Sequence, residues 1–274
     1  MKLFLYRYSL TESDQKVLAL DKDAAPQTRE EFLRALFSKT FSFDYRKGIS
    51  LKYHFLEEVD GVIYAAICRN ISEVAAADKS DPFNVSKIEV WKKATFLFNI
   101  KDDQQVIGLE AANGVGKPDS VIAGLTQTLN ALKNGIPYRI SVSSLPEAGS
   151  FQKAISMHPG RITSITFDLV TPNPPKVDDA IRKGLKELRE ETGASRRKET
   201  IESNDGLHTD AEYIQERAKY TEAGGGSAVA KSGRETVYNS DKKTRSINVP
   251  NELRPETKKS KADYIRSVIS RLIK

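Results

Sequence analysis

The sequence predicts an α+β protein: an antiparallel or mixed sheet with packed helices, followed by a polar, helix-rich C-terminal region. Three observations predict it. Strand-like runs come in pairs joined by short turns, and amphipathic helical stretches are few and lie between those runs. The apolar content then falls after Thr171, beyond which the only aromatics are Tyr213, Tyr220, Tyr238 and Tyr264. A chain of 274 residues, 39% of them hydrophobic, is long enough to bury a substantial core.

Taken in order, Lys2–Ser9 is a β-rich run, and Glu30–Ser38 places Phe32, Leu33, Leu36 and Phe37 at helical spacing. Ile49–Leu56 and Val62–Ile71 read as strands joined through Glu58-Val59-Asp60-Gly61, where Asp-Gly is a hairpin signal because glycine tolerates positive φ. Lys87–Ile100 and Gln105–Glu110 form a further pair, joined by Lys101-Asp102-Asp103. The next helix opens at Pro118-Asp119-Ser120, lines Val121, Ile122, Leu125, Leu129 and Leu132 on one face, and stops at Asn134-Gly135. Tyr138–Leu145 is then a strand, Gly149–Met157 a short helix and Ile162–Val170 a strand. Thr171-Pro172-Asn173-Pro174-Pro175 ends that strand, because proline cannot continue a ladder. It marks the expected boundary between a sheet-and-helix core, 1–174, and a basic C-terminal region, 175–274.

In the second region Val177–Glu191 is a helix with Ile181, Leu185 and Leu188 on one stripe. Leu207–Tyr220 is weakly helical, and Gly224-Gly225-Gly226-Ser227 reads as a flexible link. Residues 228–249 read as a small hairpin or as a partly disordered stretch. An amphipathic helix over about Pro255–Lys274 ends the chain.

Several classes are set aside. No stretch approaches the roughly 20 apolar residues of a membrane span, and Met1–Arg7 becomes charged too early for a signal peptide. The single Cys68 forms no intramolecular disulfide and fits a reducing cytoplasm. With His54, His158 and His208 far apart, it offers no zinc pattern. Asn113-Gly114-Val115-Gly116-Lys117-Pro118 approaches a phosphate loop but has Ala111 where the first glycine belongs and Pro118 where a magnesium-binding hydroxyl belongs. Its backbone could at most touch a nucleic-acid phosphate. No Gly-x-Ser-x-Gly elbow is present, and Cys68, in an apolar run, reads as a small buried side chain. No catalytic residue, cofactor or metal site is predicted. Asp168, inside a strand, is the best single carboxylate for a rival reading as a metal-dependent nuclease or toxin.

What remains is charge. Residues 1–175 hold 21 Lys+Arg against 20 Asp+Glu, and residues 176–274 hold 22 against 17. The cations cluster as Arg182, Lys183, Lys186 and Arg189 on one helix, then Arg196-Arg197-Lys198, Lys242-Lys243 with Arg245, Lys258-Lys259 with Lys261, and Arg266 and Arg271 in the last helix. Gathered cations neutralise phosphates and release counterions, giving affinity without sequence readout. The region lacks the interleaved aromatics of a base-stacking platform, so a duplex backbone suits it better than exposed bases.

The element order, with its strand ending at Thr171–Pro175 and a polar basic tail, resembles phage-exclusion and defence-associated proteins of the Rex A type, related in architecture to RdgC-like duplex binders. The resemblance implies non-specific duplex DNA binding by a homodimer and a role in stopping phage growth. The expectation is therefore a non-enzymatic duplex binder, with a protein-interaction module that senses a phage component as a further rival.

Overall fold

The computed structural model describes residues 1–12, 28–76, 85–101, 105–131, 138–170, 179–249, 263 and 266–268. Strand β1 (Lys2–Glu12) organises the larger sheet. One edge pairs antiparallel with β6 (Val106–Glu110). Along the other edge, Tyr6–Glu12 pair with β7 (Tyr138–Ser144) and Lys2–Phe4 with β12 (Ser246–Asn248). From β6 the sheet continues through β5 (Val85–Asn99), β4 (Val62–Ala76), β3 (Ile49–Val59) and β2 (Phe41–Arg46), every neighbour antiparallel. The meander was legible in the sequence. At the β3–β4 turn both Asp60 (φ 52°) and Gly61 (φ 77°) have positive φ, as a two-residue hairpin turn requires.

Period-two alternation gives this sheet an inner face of Tyr8, Leu51, Tyr53, Ile63, Ala65, Ile67, Phe96 and Phe98, all buried. Two helices cover it. Helix α1 (Arg29–Phe37) begins with a capping box: Thr28 Oγ1 accepts from Glu31 N at 3.2 Å, and Thr28 N donates to Glu31 Oε2 at 2.9 Å. Its Phe37 stacks on Phe98 with centroids 4.3 Å apart. Helix α2 (Pro118–Ala131) buries Val121, Ile122, Leu125 and Leu129, with Gly124 set close against the Asp44 carbonyl of β2. Leu132 and the expected stop at Asn134-Gly135 lie outside the described residues, as does Thr171–Pro175.

The second sheet runs β11–β10–β8–β9, all antiparallel: β8 (Ser164–Val170), β9 (Arg196–Glu202), β10 (Gly226–Ser232) and β11 (Glu235–Asn239). Ile165, Phe167 and Leu169 of β8 face a second core shared with α3 (Ser150–Ser156), α4 (Asp179–Thr192) and α5 (Glu212–Glu222). This sheet draws β8 from before residue 174 and its other strands from after it, so a hydrogen-bonded ladder crosses the expected boundary. The two larger apolar clusters instead part between β7 and α3.

One further expectation is corrected. The C-terminal region is mixed among its described residues: α4, α5 and helical residues at 263 and 266–268 stand beside four strands. The run Arg196–Glu202 looks like a charge cluster because only Ile201, opposite Ile165, offers an apolar inward side chain. Gly224–Ser227 is not a flexible link. Gly224, Gly225 and Gly226 are buried, and a Cβ would collide at each, with the Arg7 side chain, the Tyr220 ring and the Asp168 carbonyl in turn. Backbone packed this closely admits only glycine. The hairpin in 228–249 is β10–β11.

A third apolar cluster lies on the outer face of the large sheet, where Leu3, Leu5, Val62 and Leu97 meet Val249 and Val268. Of the expected terminal helix, Asp263 and residues 266–268 are helical; the rest lies outside the described residues. Arg266 Nε pairs with Asp60 Oδ2 of the β3–β4 turn at 2.8 Å.

Candidate functional site

The expected basic residues do not form one surface. Helix α4 carries Arg182, Lys183, Lys186 and Arg189 on the side where helices pack over the second sheet, anchored by Leu185. Two of them are spent along the helix, Lys183 reaching Glu187 at 4.0 Å and Lys186 reaching Glu190 at 3.6 Å, and Arg189 is also engaged. Such exposed pairs contribute under about 1 kcal/mol but lower the local positive potential. Arg197 lies on the same side, opposite Leu169, and pairs with Glu199 at 2.8 Å. Arg266 is held by Asp60. Lys258, Lys259, Lys261 and Arg271 lie outside the described residues.

The other face of the second sheet is open. Register places Arg196 beside Val170, Lys198 beside Asp168, and Lys231 beside Ser164, all pointing away from the apolar core. Arg196 donates through Nε to Asp168 Oδ1 at 2.5 Å. Lys198 and Lys231 make no ion pair among the described residues. At one end of this face the 3-10 turn Ser240–Lys242 presents Asp241, Lys242 and Lys243, with Arg245 following, and these three cations also lack an ion pair among the described residues. The sequence picked out four of these five unpaired cations. It missed Lys231, which strand register places on the same open face, at the Ser164 end of the sheet.

Where the two sheets meet, a cavity of about 640 Å³ is lined by Tyr6, Asp119, Asn130, Ser143, Arg196 and Asp241, among others. Tyr6 donates its hydroxyl to Asp119 Oδ1 at 2.6 Å, and burial, reinforced by that carboxylate, pushes the hydroxyl well above the ordinary tyrosine range. Asp241 keeps solvent contact, but the protein packed around it and the Asp119 and Asp168 charges raise its carboxyl against the pull of Arg196. Two aspartates, Asp119 and Asp241, against the single Arg196 make these walls unfavourable for a phosphate. Asp168 is committed to Arg196, and among the described residues no three His, Cys, Asp or Glu side chains are placed to hold a metal ion.

Behind the open face, Glu199 accepts from Arg217 Nε at 2.7 Å and from the Tyr213 hydroxyl at 2.8 Å. Burial alone would raise the Glu199 carboxyl; these hydrogen bonds and the Arg217 and Arg197 charges outweigh it and hold it below the ordinary range. The glycine-rich turn before α2 is engaged internally, since the Lys117 amide donates to the Tyr45 hydroxyl at 3.2 Å. Cys68 is half-exposed on the outer face of the large sheet, not buried as the apolar run implied. Among the described residues no helix is long and apolar enough to cross a membrane.

The fold and this surface define a two-sheet α+β protein whose second sheet presents, on one face and at its end, cations without an ion pair among the described residues, beside an acidic cleft. The model of the family described as a domain of unknown function, DUF4747, matches residues 70–274, and the chain belongs to that family. No curated protein and no solved structure matches the chain.

Proposed function

We propose that the protein is a non-enzymatic nucleic-acid binder that grips duplex DNA by its phosphate backbone without reading sequence. The grip is narrower than the sequence implied: Lys198 and Lys231 on the open face of the second sheet, and Lys242, Lys243 and Arg245 at its end. The observation that carries this reading is that these five cations have no carboxylate partner among the described residues, whereas Lys183, Lys186, Arg196, Arg197 and Arg266 each have one. An unpaired cation can release a counterion from DNA without first breaking an ion pair. Asp168, Glu202 and Asp241 lie among them and keep the field moderate. This supports weak, non-specific affinity rather than tight recognition. By the resemblance in layout, the setting is phage exclusion or antiviral defence in the cytoplasm, with the protein acting as a homodimer.

A gel-shift titration with duplex DNA, single-stranded DNA and RNA tests the reading. Unrelated duplexes should bind alike, and a Lys198→Ala/Lys242→Ala/Lys243→Ala variant should lower the salt slope by about 3. Unchanged duplex binding by that variant contradicts it. So does magnesium-dependent DNA cleavage that requires Asp168, which would return the nuclease reading.

A further inference from the structure

The outer face of the large sheet, away from the third apolar cluster, carries a second cationic surface that the sequence did not single out. Register sets Ser42, Lys52, Cys68 and Lys93 side by side across β2, β3, β4 and β5. Two residues further along β5 stands Trp91, paired with Asn70. Inward neighbours Leu51, Tyr53, Ile67 and Ala94 are buried, so alternation turns this row to solvent. Trp91 is 61% exposed, a large apolar ring turned mostly to solvent. Lys52 and Lys93 make no ion pair among the described residues. Their strands lie two ladder spacings apart, about 10 Å, and Trp91 is about 7 Å along the strand from Lys93. Glu89, two residues beyond Trp91, accepts a hydrogen bond from Asn70 at 3.0 Å, and Asp44 lies on β2 two residues from Ser42.

We infer that this face binds single-stranded nucleic acid, with a base stacked on Trp91 and adjacent phosphates on Lys52 and Lys93. An exposed aromatic beside two cations suits a chain whose bases are exposed, because stacking is tolerant of sequence and backbone charge is met at the same time. The occupant is anionic, since Lys52 and Lys93 make no ion pair among the described residues while Glu89, on the same face, is engaged by Asn70. A second copy of the chain is disfavoured, because a two-fold contact would bring like charges together. This surface is separate from the duplex-binding cations of the second sheet, so either can fail without the other.

The sequence provides its own probes, since Trp91 is the only tryptophan and Cys68 the only cysteine. Titrating the protein with an oligo(dT) of about 20 nucleotides at low salt should quench tryptophan fluorescence and protect Cys68 from alkylation by iodoacetamide. Trp91→Ala should weaken oligo(dT) binding roughly 5- to 150-fold, while Trp91→Phe retains most of it. Lys52→Ala/Lys93→Ala should lower the salt slope by about 1.4. Duplex binding should be unaffected by these changes. The inference is overturned if Trp91→Ala binds oligo(dT) as the wild type does. It is equally overturned if Trp91→Phe loses as much affinity as Trp91→Ala, or if heparin reproduces both quenching and protection, which would show a charged surface without base stacking.

Discussion

Gly226 distinguishes a flexible link from a packed turn. It opens β10 with φ 137°, pairs with Leu169 in the centre of the second sheet, and faces the Asp168 carbonyl so closely that a Cβ must displace backbone. For Gly226→Ala, the positive φ costs about 1–3 kcal/mol, and forcing backbone apart in a packed ladder costs another 1–3 kcal/mol or so. The expected loss is about 4 kcal/mol, which for a chain of this size lowers Tm by roughly 8–16 °C. A paired control has the opposite sign. Gly184 lies within α4 with nothing near its missing Cβ, so Gly184→Ala should stabilise by about 0.5–1 kcal/mol through helix propensity. Urea unfolding followed by circular dichroism reads both. A loss below about 1 kcal/mol for Gly226→Ala would refute the packed-turn assignment, because a flexible link accepts alanine at almost no cost.

Two electrostatic predictions are tested in the same assay across pH. Glu199 has a lowered carboxyl in the folded state, so its contribution is present above its unfolded pKa of about 4.3 and is lost as pH falls through the folded value. Glu199→Gln should cost about 2 kcal/mol near pH 7, and the gap to wild type should narrow below about pH 4; a gap constant down to pH 3 contradicts the assignment. Asp241 is raised, so its ionised form opposes folding above its unfolded pKa of about 3.9. Asp241→Asn should therefore stabilise at neutral pH, with the gain vanishing at acid pH, and should tighten duplex binding by removing a negative charge beside Lys242. Weaker duplex binding by that variant would contradict the placement of DNA against Lys242 and Lys243.

Much of the fold was legible because strands and helices advertise themselves by period. The Asp60-Gly61 hairpin, the β5–β6 pair and α2 follow from turn residues and apolar spacing alone. What the sequence hid was non-local. Strand β9 itself has an apolar side chain at one inward position only, Ile201, so its alternation is masked by Arg196, Arg197, Lys198 and Glu199. The burial of Gly224–Gly226 depends on Arg7, Tyr220 and Asp168, which approach from distant parts of the chain. The candidate surface was half legible: local charge runs located Lys198, Lys242, Lys243 and Arg245, but no run can show which cations a carboxylate neutralises. Arg196 and Arg197 are adjacent in sequence and point to opposite faces of a strand, one paired with Asp168 and the other with Glu199. Trp91 and Lys93 were read as part of a strand, and only cross-strand register set them beside Lys52.

The central claim, that unpaired cations at the second sheet hold DNA by its phosphates, is tested most directly by the salt dependence of duplex affinity. With four to five phosphates neutralised per protomer, log K should fall with log salt at a slope of about −4, so that raising salt from about 50 to 200 mM weakens binding roughly 200-fold. Affinity that holds steady over that range, with a slope shallower than about −1, would contradict it.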